Sequence, residues 1–75
     1  MDTQSRIERI KQLIDSGISV YDGSTSYECI KDENGQYLIT FAGNNYCVGL
    51  FWRDGKGLNA ADPFYFDEDG NRVYI

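Results

Sequence analysis

Two stretches of the chain, Tyr27–Ile39 (YECIKDENGQYLI) and Phe64–Ile75 (FYFDEDGNRVYI), share one pattern that decides the fold. Each has an aromatic-rich run, then Asp-Glu, then Asn-Gly or Asp-Gly, then a second apolar run that contains a tyrosine. Asn-Gly and Asp-Gly between such runs predict β-hairpins, because a two-residue type I′ turn requires positive φ at both central positions. The two stretches therefore predict two hairpins of an antiparallel sheet.

The predicted turns also determine which residues lie opposite each other. A turn at Asn34-Gly35 pairs Ile30 with Ile39, and a turn at Asn44-Asn45 pairs Ile39 with Leu50. Directly opposed residues of an antiparallel pair share a face of the sheet, so these turns predict a continuous apolar core face. Its predicted members are Ile30, Tyr37, Ile39, Phe41, Val48, Leu50 and Trp52.

The face opposite this predicted core is unusually aromatic. A turn at Asp69-Gly70 pairs Phe66 with Val73 and Phe64 with Ile75 on the core face. It pairs Tyr65 with Tyr74 on the opposite face. A solvated sheet face normally carries polar residues, whereas Tyr, Phe and Arg are enriched at protein interfaces. Two interpretations stay open: the sheet curls and buries this face, or the face binds protein. Its predicted members are Tyr27, Cys29, Lys31, Leu38, Thr40, Cys47, Phe51, Arg53, Tyr65, Arg72 and Tyr74.

Residues 3–16 (TQSRIERIKQLIDS) predict an amphipathic helix, since apolar residues recur there at three- and four-residue spacing. Ser5 and Glu8 fit a capping box, although Asp2 or Thr3 could also cap the helix. Gly17 fits the left-handed residue that ends a helix.

These patterns predict an α+β fold in a single domain over residues 1–75, with the N-terminal helix packed on an antiparallel sheet. The sheet is predicted to be a meander of about four to five strands, with a partly rolled barrel as the alternative. Residues 18–21 are predicted to be a short extended segment before the sheet, and residues 53–63 a long irregular stretch. The strands are expected over residues 27–33, 36–42, 46–53, 64–67 and 71–75.

The amino-acid composition limits the classes of molecule that the protein is expected to bind. The net charge of −5 repels phosphate backbones, which disfavours direct nucleic-acid binding and favours a partner protein with a basic surface. No uninterrupted apolar stretch reaches membrane-spanning length, and residues 1–4 lack the basic start of a signal peptide. We therefore expect a cytoplasmic protein with no membrane partner.

No motif predicts catalysis, and we expect no enzyme activity, no metal site and no cofactor. The chain has no His and only two Cys, which argues against a zinc site or a Cys nucleophile with a His base. The register places Cys29 and Cys47 on one face about 10 Å apart, too far for a disulfide. Asp67–Asn71 resembles the opening of a calcium loop, but the chain ends before the bidentate Glu that such a loop requires.

The sequence thus predicts a small, acidic, non-enzymatic protein-binding module that occupies the surface of a partner protein. Its size and charge are similar to those of inhibitors and antagonists such as phage-encoded anti-host or anti-defence factors, and partial nucleic-acid mimicry is one form of that function. The alternative is a structural or assembly subunit that forms a homodimer through its aromatic sheet face. The candidate binding residues are Tyr27, Phe51, Tyr65, Asp67, Arg72 and Tyr74. The candidate acidic patch consists of Asp32, Glu33, Asp62, Asp67, Glu68 and Asp69.

Overall fold

The computed structural model describes residues 2–75, which form one helix and one six-stranded antiparallel sheet. The sheet is open, with strand order β4-β3-β2-β1-β5-β6. This confirms the predicted α+β class with a helix packed on an antiparallel sheet. The elements are α1 (Thr3–Asp15), β1 (Val20–Asp22), β2 (Ser24–Lys31), β3 (Tyr37–Phe41), β4 (Cys47–Gly49), β5 (Pro63–Phe66) and β6 (Arg72–Tyr74).

The predicted strand count was wrong. Val20 and Tyr21, expected to belong to an extended segment before the sheet, form with Asp22 a strand near its centre, between β2 and β5. Three residues are too few to give a clear alternation of apolar and polar positions, so the pattern left this strand out. The partly rolled barrel was also wrong, because β4 and β6 lie at opposite edges of an open sheet.

Helix α1 follows the predicted apolar periodicity closely. Its side chains Ile7, Ile10 and Leu13 are buried, and the last two pack with Val20 of β1 in the hydrophobic core. The N-cap is Asp2, whose carboxylate accepts the backbone N–H of Ser5 at 2.7 Å. The capping box is therefore not used, and the alternative cap at Asp2 is the one observed. Among residues 2–75, no helix is both long and apolar enough to cross a membrane.

The first hairpin is present, but its turn contains three residues instead of two. The N–H of Asp32 donates to the carbonyl oxygen of Gln36 at 2.9 Å, and the N–H of Gly35 donates to that of Asp32 at 3.1 Å. Only Gly35 has positive φ, at 83°, which is typical of a type I turn closed by a left-handed glycine. The extra loop residue shifts the pairing by one position, so Ile39 lies opposite Cys29 instead of Ile30.

The second hairpin repeats this geometry. The N–H of Asp67 donates to the carbonyl oxygen of Asn71 at 2.9 Å, and Gly70 has φ of 81°. The pairing again shifts by one position, and the predicted pairs of Phe66 with Val73 and of Tyr65 with Tyr74 were wrong. The observed pairs are Phe64–Tyr74, Tyr65–Val73 and Phe66–Arg72.

These registers redistribute the side chains between the two faces, since a slip of one residue moves every side chain of a strand to the other face. The inner face, toward α1, contains Tyr27, Cys29, Lys31 and Tyr65, which had been predicted on the opposite face. Ile30, which had been predicted in the core, lies on the outer face. The members of the outer face are Tyr21, Glu28, Ile30, Leu38, Thr40, Cys47, Phe64, Phe66, Arg72 and Tyr74.

The segment 50–62 joins β4 at one side of the sheet to β5 beyond its centre, and it packs on the inner face. Leu50 and Ala60 are buried in the core, and the N–H of Asn59 donates to the carbonyl oxygen of Leu50 at 2.8 Å. Trp52 had been predicted in the core but is 54% exposed, because the strand ends at Gly49 and the chain turns into this segment.

Candidate functional site

Four aromatic rings contact one another on the outer face. Phe64 lies at their centre and is fully buried, with Tyr21, Phe66 and Tyr74 around it at centroid distances of 5.7, 5.6 and 5.6 Å. Phe66 and Tyr74 remain 40% and 55% exposed. Together with Arg72, these residues form what we call the aromatic patch.

Arg72 covers the centre of the patch. Its guanidinium carbon lies 4.3 Å from the centroid of the Phe64 ring, close enough for a cation–π interaction. One guanidinium nitrogen donates to the carbonyl oxygen of Gly23 at 3.3 Å and to the hydroxyl of Tyr74 at 3.4 Å. A guanidinium has five N–H groups, so Arg72 keeps donors for an acceptor outside the chain.

Two acidic turns lie at the same end of the sheet. Strands β2 and β5 are both antiparallel to β1, so they run in the same direction and the turns that follow them lie at the same end of the sheet. Asp67 directly follows Phe66, which places one of these turns at the border of the aromatic patch. The acidic end, as we call it, consists of Asp32, Glu33, Asp67, Glu68 and Asp69.

The sixth acid predicted for this patch lies elsewhere. Asp62 precedes β5 and is therefore at the opposite end of the sheet, where its N–H donates to the carboxylate of Asp22 at 2.8 Å. The predicted acidic patch is thus divided between the two ends. Asp32 and Asp67 also have a local role, since one carboxylate oxygen of each accepts two backbone N–H groups of its own turn at 2.8–2.9 Å.

Three of the predicted binding residues lie together. Asp67, Arg72 and Tyr74 belong to the β5–β6 hairpin, with Arg72 and Tyr74 in the aromatic patch and Asp67 at its border. Phe64 and Phe66 belong to the same patch, but the two-residue turn had placed them in the core. A three-residue turn between Asp67 and Asn71 would have placed both on the face of Arg72 and Tyr74.

The other three predicted binding residues lie on the inner face. Tyr65 is half-buried, and its hydroxyl accepts a hydrogen bond from Arg9 of α1 at 3.3 Å. Phe51 is half-buried against the core, with the amine of Lys11 located 5.4 Å from its ring centroid. Tyr27 is 39% exposed at the far corner of the same face. These residues are separated from the aromatic patch by the sheet itself.

The two cysteines lie on opposite faces, which corrects the prediction that they share one. Cys29 is buried in the core and Cys47 is exposed on the outer face, and both thiols are free. Burial, together with the nearby charges of Asp22 and Glu28, raises the pKa of the Cys29 thiol to about 12. Among residues 2–75, no three His, Cys, Asp or Glu side chains are grouped in a way that could hold a metal ion.

No protein-family model, curated protein or solved structure matches this chain.

Proposed function

We propose that this protein is a small, acidic, non-enzymatic protein-binding module that occupies the surface of a partner protein, as an inhibitor or antagonist does. The observation that supports this most is the exposure of Phe66 and Tyr74 on the outer face, on which neither α1 nor the segment 50–62 packs. A solvated antiparallel face normally carries polar residues, and exposed aromatic groups beside an arginine are typical of interface centres.

The charge of the chain favours a foreign partner with a basic surface. The acidic end borders the aromatic patch through Asp67, so a partner docked on the patch would also meet the carboxylates of that turn. A second copy of this chain would bring a further net charge of −5, which opposes self-association at low ionic strength. This charge is also the basis for partial mimicry of nucleic acid toward a basic cleft.

Self-association through the same patch is the second candidate function. The patch reaches β6, an edge strand, and unpaired edges can join two copies of a chain. Sedimentation equilibrium at micromolar concentration separates the two candidates: a mass of 8.6 kDa favours the foreign partner, and twice that mass favours the homodimer.

Affinity capture with matched variants tests the proposal. The immobilised protein is incubated with extract of the cells that contain it, and bound proteins are quantified by mass spectrometry. The test variant Phe66→Ser/Tyr74→Ser removes the exposed rings of the patch. The control Ile18→Ser/Trp52→Ser removes two exposed apolar side chains that lie outside it.

We expect proteins that bind the wild type and the control to be depleted about tenfold or more by the test variant, as for loss of interface anchors. An identical set of proteins on the test variant, or no bound protein above background on the wild type, would contradict the proposal.

A further inference from the structure

The inner face has a groove of about 480 Å³ at its corner near Tyr27. Ile39, Val48 and Ala61 provide its apolar lining. Two pairs of side chains also line it: Tyr27 with Tyr46, and Asp22 with Asp62. An aromatic pair and an acidic pair thus border the same apolar space.

Tyr27 is held in strand β2, and Tyr46 is held by the turn before β4. Tyr27 lies opposite Phe41 in the β2–β3 pair, with ring centroids 4.8 Å apart. Tyr46 precedes β4, and its N–H donates to the side-chain oxygen of Asn44 at 2.7 Å. The rings of Tyr27 and Tyr46 are 6.2 Å apart at an angle of 84° and remain 39% and 47% exposed.

The two aspartates are brought to the groove by the long segment before β5. The N–H of Asp62 donates to one carboxylate oxygen of Asp22, and the N–H of Gly23 donates to the carbonyl oxygen of Asp62 at 3.0 Å. The one ion pair within residues 2–75 joins Lys31 to Asp15, and neither of these residues lines the groove. Asp22 and Asp62 therefore have no cationic partner in the described chain.

Four aromatic residues outside the groove already have a cation of this chain near the ring. Lys or Arg side chains lie within 5.8 Å of four ring centroids elsewhere, those of Tyr37, Phe51, Phe64 and Tyr65. In the part of the chain that the structure describes, no such cation lies over Tyr27 or Tyr46. The groove thus has ring faces and carboxylates for a cation that the chain does not supply.

We propose that this groove binds an arginine side chain of a partner protein or peptide. A guanidinium can stack on a tyrosine ring and donate paired hydrogen bonds to a carboxylate, while its aliphatic stem packs on Ile39 and Val48. Lysine fits less well, because its ammonium is a compact, strongly hydrated charge without a planar fork. The groove lies on the face opposite the aromatic patch, so this inference goes beyond the proposed function and rests on other residues.

NMR titration of the ¹⁵N-labelled protein with an N-acetylated glycine-arginine-glycine amide tests the inference. We expect saturable shifts confined to the amides of residues 22–28, 46–48 and 59–62. The same peptide with citrulline, which is neutral and nearly isosteric, should bind about tenfold more weakly, because it lacks the charge-assisted hydrogen bonds. Equal binding of the citrulline or lysine peptide, or shifts spread over the whole chain, would overturn the assignment.

Variants locate the interaction. Asp22→Asn keeps an acceptor for the Asp62 N–H but removes the charge, and Tyr46→Ala removes an exposed ring; each should weaken binding about fivefold or more. Asp54→Asn changes net charge equally in a distant turn, where its side chain accepts the Lys56 N–H. It should leave the affinity unchanged, and an equal loss in Asp54→Asn and Asp22→Asn would show a merely long-range charge effect and overturn the site.

The two proposals can fail separately. Phe66→Ser/Tyr74→Ser alters the outer face alone and should leave arginine-peptide affinity unchanged. Loss of peptide binding in that variant would contradict the location of the groove, whereas the capture experiment on the aromatic patch does not depend on the peptide.

Discussion

Asp32 and Asp67 show how a single side chain can set the register of a hairpin. One carboxylate oxygen of each accepts the N–H groups two and four residues later, and this draws the chain into a three-residue loop. The glycine three positions after each Asp then adopts positive φ, while no other loop residue has to. The aspartate therefore determines the loop length, and the loop length assigns each strand residue to a face.

The carboxylate of Asp67 is therefore expected to stabilise the protein measurably. Asp67→Ala removes the acceptor of two backbone hydrogen bonds and should lower the free energy of unfolding by about 1 kcal/mol in urea titrations followed by circular dichroism. Asp67→Asn retains an oxygen acceptor at the same position and should be closer to the wild type. Equal losses in the two variants would show that the hydrogen bonds do not stabilise the turn.

The cysteines are expected to differ strongly in reactivity. At pH 8 a water-soluble disulfide reagent should modify exposed Cys47 rapidly and buried Cys29 only as fast as the protein opens, because the pKa of Cys29 is raised to about 12. The Cys47→Ser variant isolates the slow phase, and a fast phase in that variant would contradict the burial of Cys29.

The stability of the protein should also depend on pH through Cys29. Because the folded-state pKa of its thiol lies above the ordinary value of 9.0, the stabilisation from the neutral thiol should be lost as pH rises from about 9 to about 12.

At the scale of elements, the sequence predicted best where a long periodic signal exists. The stripe of Ile7, Ile10 and Leu13 predicted the helix over residues 3–16, and the observed α1 ends one residue earlier. The two hairpins were also predicted, since Asn-Gly and Asp-Gly signal a turn reliably. Their registers were not, because the sequence before the glycine fits both a two-residue and a three-residue loop.

Strand β1 could not be predicted, for a different reason. It has three residues, and its place near the centre of the sheet depends on β2 and β5, which lie on either side of it. Val20 is buried because it lies opposite Cys29 under the helix, a relation that local periodicity does not contain. Tertiary pairing rather than propensity therefore defines this strand.

Two isoleucine-to-alanine variants, one on each face of the sheet, test the observed register of β2 and β3. Ile39→Ala should lower the free energy of unfolding by about 2–5 kcal/mol, because Ile39 is buried beneath α1. Ile30→Ala, with the same chemistry on the half-buried outer face, should lower it by less than about 1.5 kcal/mol. A two-residue turn would place both side chains in the core, so equal large losses would contradict the observed pairing.

At the scale of the whole molecule, the segment 50–62 helps to form the groove, which could not be predicted from the sequence. It brings Asp62 to Asp22 across 40 sequence positions and so completes the groove with Tyr27. No local pattern connects these residues. The aromatic patch was predicted in part, through Arg72 and Tyr74, because most of it belongs to one hairpin.

The acidic end is expected to contribute charge to partner binding. With a captured partner purified, the dissociation constant should rise about tenfold or more between about 0.05 and 0.5 M salt, because exposed charges are screened as the Debye length shortens. The variant Glu68→Gln/Asp69→Asn should reduce this salt dependence, and Asp54→Asn, in a turn outside the acidic end, should not. A dissociation constant independent of salt would contradict the electrostatic part of the proposal.

The central claim is that the outer face carries two exposed aromatic residues, Phe66 and Tyr74, that the fold does not require. Urea unfolding of Phe66→Ala/Tyr74→Ala measures this directly, with Ile39→Ala as the core reference. We predict native circular dichroism and a loss of at most about 2 kcal/mol for the double variant, since both rings are exposed and lose mainly their aromatic contacts with Tyr21 and Phe64. Loss of folding, or a loss of about 6 kcal/mol or more as for two buried aromatic residues, would show that the patch is core and contradict the account.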